Sequence, residues 1–178
     1  LFLNQKKTSL ALPGIIQKGL KGGIQYQDGQ FDDARFAISL AKTIEEQGGV
    51  CINYMEFLSL LGCANKAEGI IAKDTLNDQS FSIRSTHIIN ATGVFGNPIL
   101  EEVKSQIKIR TSRGTHIVLD RAFLPSNTAL MVPKTTDGRV LFVIPWRNHV
   151  IIGTTDIETE NISFEPGKSQ SDIDFLLA

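Results

Sequence analysis

The residues able to do chemistry in this sequence are few, and the most distinctive of them lie close to glycines. His116 stands out, because Gly114 two positions earlier frees the backbone and leaves room beside an imidazole. Arg113 adds a permanent cation next to that glycine, suited to a phosphate dianion. An imidazole can take a hydroxyl proton near neutral pH, hold a phosphate when protonated, or orient a substrate. The plainer readings are a strand histidine satisfied by backbone and a solvated surface arginine. Asn90-Ala91-Thr92-Gly93 is a second cluster: small residues at a strand end let backbone approach a cofactor, or simply let the chain leave a sheet. Thr154-Thr155-Asp156 carries side chains that also form turns by hydrogen-bonding their own backbone. Asp32, Asp33 and Arg35 resemble an acid–base set, but a helix cap with an ion pair explains them. His87, in mid-strand, and His149, beside a hairpin turn, read as structural.

Absences narrow the field. The sequence contains no GxGxxG, no GxxxxGK[ST] and no metal-spaced His/Cys set, so a complete dinucleotide-binding unit or P-loop is not in these residues. A net charge of -1 gives no reason to expect nucleic acid as a partner. No apolar run is long enough to span a bilayer, and Leu1–Leu3 lack the long apolar core of a signal peptide. Cys51 and Cys63 lack CxxC spacing and read as buried free thiols in a reducing compartment. With 178 residues the chain fits one domain or pieces of two. It begins without Met and stops inside a helical pattern, which reads as the middle piece of a longer protein.

These residues must be positioned by the following elements. Asn4 to Gly23 reads as a connector with a short helix near Gly14 to Lys18, then a strand at Gly23 to Gln27 and a turn at Asp28-Gly29. The strongest helix runs from Asp33 to Gln47: Asp32 caps it, Gly48-Gly49 ends it, and Ala34, Ala37, Ile38, Ala41 and Ile44 form a stripe expected to be buried. Strands are expected at Val50 to Leu58, at Gly69 to Ala72 and, after a turn at Asn77-Asp78, from Ser80 to Ile89. A short helix or loop follows near Ile99 to Val103. The last third reads as a β-meander: Thr115 to Leu119, Ala129 to Val132, Val140 to Trp146 and Val150 to Thr154. Turns are expected at Asp137-Gly138 and Arg147-Asn148, and Ser171 caps a final helix starting at Asp172. The fold class is α+β with mixed and antiparallel sheets, without regular βαβ alternation.

Four segments gain meaning together: Asp28-Gly29-Gln30-Phe31-Asp32-Asp33-Ala34-Arg35; Ile89-Asn90-Ala91-Thr92-Gly93; Arg113-Gly114-Thr115-His116-Ile117-Val118; and Phe142-Val143-Ile144-Pro145-Trp146 with Ile152-Gly153-Thr154-Thr155-Asp156. In identity, order and separation they resemble the FAD-dependent glycerol-3-phosphate dehydrogenase and α-glycerophosphate oxidase family, over about Leu20 to Leu177. The resemblance implies a two-domain flavoenzyme, with a glutathione-reductase-like FAD domain and a substrate (cap) domain built on a β-sheet. It places residues 1–33 as cap-domain connector and strand, 34–107 in the FAD domain and 108–178 in the cap. The family's glycine-rich motif lies upstream of these residues and a later arginine-bearing segment downstream, so this piece alone is expected to be inactive. By the same resemblance Ala91, Thr92 and Gly93 lie against the FAD, Phe57 belongs to the strand that meets its adenine, and His116 and Arg113 face the substrate. One departure concerns Val94-Phe95, where the family usually has Pro-Trp; the aromatic character survives and the rigid proline does not. The implied reaction oxidises sn-glycerol 3-phosphate to dihydroxyacetone phosphate, passing electrons to FAD and then to a quinone or to dioxygen. The expected location is cytoplasmic, and the reading allows peripheral attachment of the whole enzyme at the inner face of the cell membrane and a homodimer. Its rivals are another amine- or hydroxy-acid-oxidising flavoprotein of the same architecture and a non-catalytic binding module.

Overall fold

The computed structural model describes residues 1–63, 66–135 and 138–177, without the side chain of Cys63. In chain order its elements are β1 (Phe2–Asn4), α1 (Gln5–Ala11), β2 (Gly22–Ile24), α2 (Asp33–Glu46), β3 (Met55–Cys63), β4 (Lys66–Asp74), β5 (Ser80–Arg84) and α3 (Asn97–Glu102). There follow β6 (Ser112–Arg113), β7 (Ile117–Asp120), β8 (Leu130–Val132), β9 (Leu141–Trp146), β10 (His149–Gly153), β11 (Ile157–Glu158) and α4 (Gln170–Leu177). The paired strands among the described residues run antiparallel, and helices are interspersed with them, which is the α+β class expected. By their internal contacts the residues fall into two compact units, Leu1–Gln27 with Arg110–Ala178, and Asp28–Ile109.

The first unit is built on a four-stranded sheet in the order β7-β10-β9-β8. Arg147 takes a left-handed φ of 53°, and the two-residue turn sets Trp146 opposite His149. Asp137, half of the expected turn before β9, lies outside the described residues. β7 pairs with β10 instead of β8, so the expected meander is replaced by a Greek-key order. The reason lies in the β7–β8 connection. Its Leu124 joins Val150 and Leu12 in the buried core, packed against by Ile15, Leu130, Val143 and Ile152. Burying that apolar surface holds the connection against the sheet and keeps β8 away from β7.

Three local expectations for this unit shift. The first helix is α1, not Gly14 to Lys18, because the Asn4 side chain accepts the Lys7 N–H at 3.0 Å and Pro13-Gly14 follow the helix end. β2 stops at Ile24, where its partner β1 runs out at Phe2. α4 begins at Gln170, so Ser171 sits within its first turn, its hydroxyl 2.6 Å from that of Ser169.

In the second unit, Asp32 caps α2 as expected, accepting the Arg35 N–H at 3.2 Å, and Gly48 at φ 83° turns the chain out of it. The apolar stripe of α2 is not buried: Ile38 is 59% exposed and Ile44 46%. The expected burial is therefore not found: no α2 residue is buried among the described residues. Cys51 is likewise exposed, not buried. β3 starts at Met55 and not at Val50, because Tyr54 adopts φ 58° and interrupts the extended backbone. The sheet order is β3-β4-β5, and β5 ends at Arg84, five residues short of Ile89. There Ser85 donates its N–H to Glu68 O at 3.0 Å while its hydroxyl accepts the His87 N–H at 3.1 Å. That turn redirects the chain and leaves His87 in irregular structure, not in mid-strand.

Candidate functional site

His116 lies where an antiparallel ladder breaks. Arg113 of β6 faces Ile157 of β11, and Ile117 of β7 faces Ile152 of β10. Between those pairs the three residues Gly114–His116 oppose the four residues Gly153–Asp156, an inserted residue of the kind that re-aims a side chain. His116 is exposed at this break. Its ring lies directly over Gly153, where an added Cβ would overlap the imidazole Cδ2 and come within 3.0 Å of Cγ. Gly114 serves a different neighbour: a Cβ there would overlap the Thr154 hydroxyl and approach Thr155 O at 3.2 Å. The room beside the imidazole thus comes from Gly153 across the ladder and not from Gly114.

The backbone on either side of Gly114 is tied down. Thr155, 1% exposed, accepts the Thr115 N–H on its hydroxyl at 2.8 Å and donates its own N–H to Thr115 O at 3.3 Å. The buried Asp172 of α4 accepts from Arg113 Nη2 at 3.1 Å and from the Thr115 hydroxyl at 3.0 Å, both on Oδ2. Arg113 therefore spends part of its charge on a carboxylate within its own unit, while its buried Nε has no hydrogen-bond partner among the described residues. Asp172 was not visible as a site residue in the sequence, since its partners lie 57 and 59 positions away. At the outer end of the β6–β11 ladder, Glu158 takes Arg110 Nε at 3.2 Å and Nη2 at 2.6 Å, which raises the guanidinium's already high pKa.

The residues expected at the cofactor belong to the other unit. Phe57, half-buried in β3, stands opposite Ala72 just before a bulge at Leu58. Ala91, Thr92 and Gly93 are exposed in a turn beyond β5. Asn90 shapes that turn, its Oδ1 accepting the Thr92 N–H at 3.2 Å and the Thr92 hydroxyl at 2.8 Å. Gly93 has φ 56° and open space where a Cβ would stand, and it begins a 3-10 turn over Gly93–Gly96. Downstream the segment is clamped. The Asn97 amide donates to Ile109 O at 2.9 Å and accepts Ile109 N–H at 2.8 Å, while Gly96 makes room for the Ile109 side chain. Small side chains and an open left-handed glycine leave this backbone accessible, which fits close approach by a flat cofactor. Among the described residues no group of three His, Cys, Asp or Glu is placed to hold a metal, and no helix is long and apolar enough to cross a membrane.

The sequence profile of the FAD dependent oxidoreductase family matches residues 2–178. The chain belongs to this family. Among FAD-dependent oxidoreductases, it is 35% identical to the mitochondrial glycerol-3-phosphate dehydrogenase of Schizosaccharomyces pombe over 97% of its own length and 28% of that protein's. The human mitochondrial glycerol-3-phosphate dehydrogenase is 34% identical over 98% of the chain and 25% of the relative. A crystal structure of the glycerol-3-phosphate dehydrogenase from Bacillus halodurans, complexed with FAD, superposes with a TM-score of 0.90 at 32% identity, covering 99% of this chain and 36% of that one. The chain spans roughly a quarter of the length of these curated relatives. The resemblance read from the four motifs is borne out.

Proposed function

We propose that this chain is the middle portion of a flavoenzyme that oxidises sn-glycerol 3-phosphate to dihydroxyacetone phosphate with reduction of FAD. The observation that carries the reading is the superposition, at 32% identity, on a glycerol-3-phosphate dehydrogenase complexed with FAD. The unit Asp28–Ile109 is read as part of the FAD domain and the other unit as the substrate (cap) domain. FAD, when bound, supplies the two-electron acceptor. Ala91, Thr92 and Gly93 would hold it through an accessible backbone turn, with Phe57 toward the adenine.

What remains for this chain's own residues is binding and the proton. Oxidising a secondary alcohol releases the hydroxyl proton, and His116, whose imidazole is exposed, would accept it or hold the substrate's phosphate. Arg113, three residues earlier and paired with Asp172, would add positive potential for the substrate's phosphate. The terminal acceptor, quinone or dioxygen, decides whether the whole enzyme works against a membrane or in solution. The test is anaerobic mixing of the whole FAD-loaded enzyme with sn-glycerol 3-phosphate, followed by flavin bleaching. Bleaching by this substrate alone is the expected result; equal bleaching by amino acids or by glycerol would overturn the substrate assignment.

A further inference from the structure

We infer that Asp172 is a positioning residue for the substrate face, acting through Arg113 and Thr115 to hold the bulge that presents His116; this rests on the reading of His116 as the substrate-facing group. Asp172 carries a carboxylate only 6% exposed, on a helix that otherwise contributes apolar packing such as Leu176. A buried carboxylate persists only where it is paired and hydrogen-bonded. Here one oxygen receives both donors, and the two donors come from the residues immediately flanking Gly114. Gly114 has no side chain to restrain its own torsions, so the course of the bulge depends on its neighbours being tied. Thr155 ties Thr115 through the backbone, and Asp172 ties it through the side chain. His116 is the next residue along, and its ring lies over Gly153. Losing the Asp172 bonds to Arg113 and Thr115 leaves only the Thr155 backbone tie, so the bulge, and the imidazole with it, shifts off Gly153.

The experiment is a double-mutant cycle in steady-state kinetics on sn-glycerol 3-phosphate, using the FAD-loaded full-length enzyme with Asp172→Asn, His116→Ala and both together. Asp172→Asn keeps the shape and removes the charge. It should lower kcat/KM about 10- to 100-fold with flavin content retained, as a displaced catalytic or binding group does. It should move the same parameter, kcat or KM, as His116→Ala, and it should add nothing in the His116→Ala background. A purely structural role would lower thermal stability with kinetics unchanged, or give losses that add; either result overturns the inference. Should Asp172→Asn fail to fold, Thr115→Val removes the hydroxyl donor alone and is held to the same non-additivity, with Thr115→Ser expected to restore the rate. A silent His116→Ala would overturn the site reading and this inference together. A damaging His116→Ala with a silent or additive Asp172→Asn, or Thr115→Val in its place, overturns the inference alone.

Discussion

Gly153 shows how a residue with no side chain can set the position of one that has chemistry. Its φ is outside the left-handed region, and the space an alanine Cβ would need is already taken. The new Cβ would overlap the His116 ring, and the ring, being the more mobile partner, must move off residue 153. Gly153→Ala is therefore expected to reproduce much of the effect of His116→Ala in the whole enzyme, with flavin content preserved. If His116 is the base, kcat falls by about 10²- to 10⁴-fold. If it holds the phosphate, the change appears in KM with turnover at saturation largely kept. His149→Ala is the control, since that residue is exposed beside the Arg147-Asn148 turn and should change neither parameter. Normal kinetics for Gly153→Ala would show that the ring's place over Gly153 does not matter to catalysis. Of this arrangement, His116 was legible in the sequence from its residue type and flanking glycine. The role of Gly153 was not, because it depends on a cross-strand register that a one-residue bulge shifts.

Elements whose signals are local were the easiest to read. α2 has helical periodicity, a capping Asp32 and a terminating Gly48, and its bounds agree with the sequence to within a residue. The β9–β10 hairpin follows from a two-residue turn between apolar runs. Elements decided by distant partners were harder. The end of β5 is set by the Ser85 turn, and the place of β7 by a core that Leu124 enters from a loop. The stripe on α2 has the right pattern and still lies exposed, because periodicity predicts a face that wants burial and not the surface that covers it. The Asn97–Ile109 clasp is another such long-range device, two hydrogen bonds across 12 residues made by a single amide. Asn97→Ala should cost about 1–3 kcal/mol in denaturant unfolding of the chain, at roughly 1 kcal/mol per bond plus any group left unsatisfied. Asn97→Asp should be at least as harmful, since it sets a carboxylate oxygen against Ile109 O. Unchanged midpoints for both would mean that α3 is held by its Pro98 start and the Glu102 bond to Leu60 N–H alone.

At the scale of the whole molecule the question is how much of a dinucleotide site these 178 residues can form by themselves. Affinity for a dinucleotide comes largely from its pyrophosphate, which is anchored where a glycine-rich turn meets a helix N-terminus and backbone N–H groups converge on the anion. No GxGxxG occurs in this sequence, and the chain spans 36% of the FAD-complexed dehydrogenase it superposes on. On the function proposed above, the chain would contribute the exposed turn at Ala91–Gly93 and one half-buried aromatic, Phe57. Those can accept the flat and apolar parts of a cofactor but carry no cluster of donors for two phosphates. The exposed apolar residues of α2 and the segment after it, Phe36, Ile38, Leu40, Ile44, Val50 and Ile52, also leave this unit with little buried surface to rigidify a site. The purified 178-residue chain is therefore expected to lose FAD on gel filtration and to show only weak quenching in a flavin titration, whereas the whole protein is expected to elute yellow. Stoichiometric flavin retained by the chain through the column would show that the Ala91–Gly93 turn anchors the cofactor without the glycine-rich motif, and the division of binding argued here would have to be reversed.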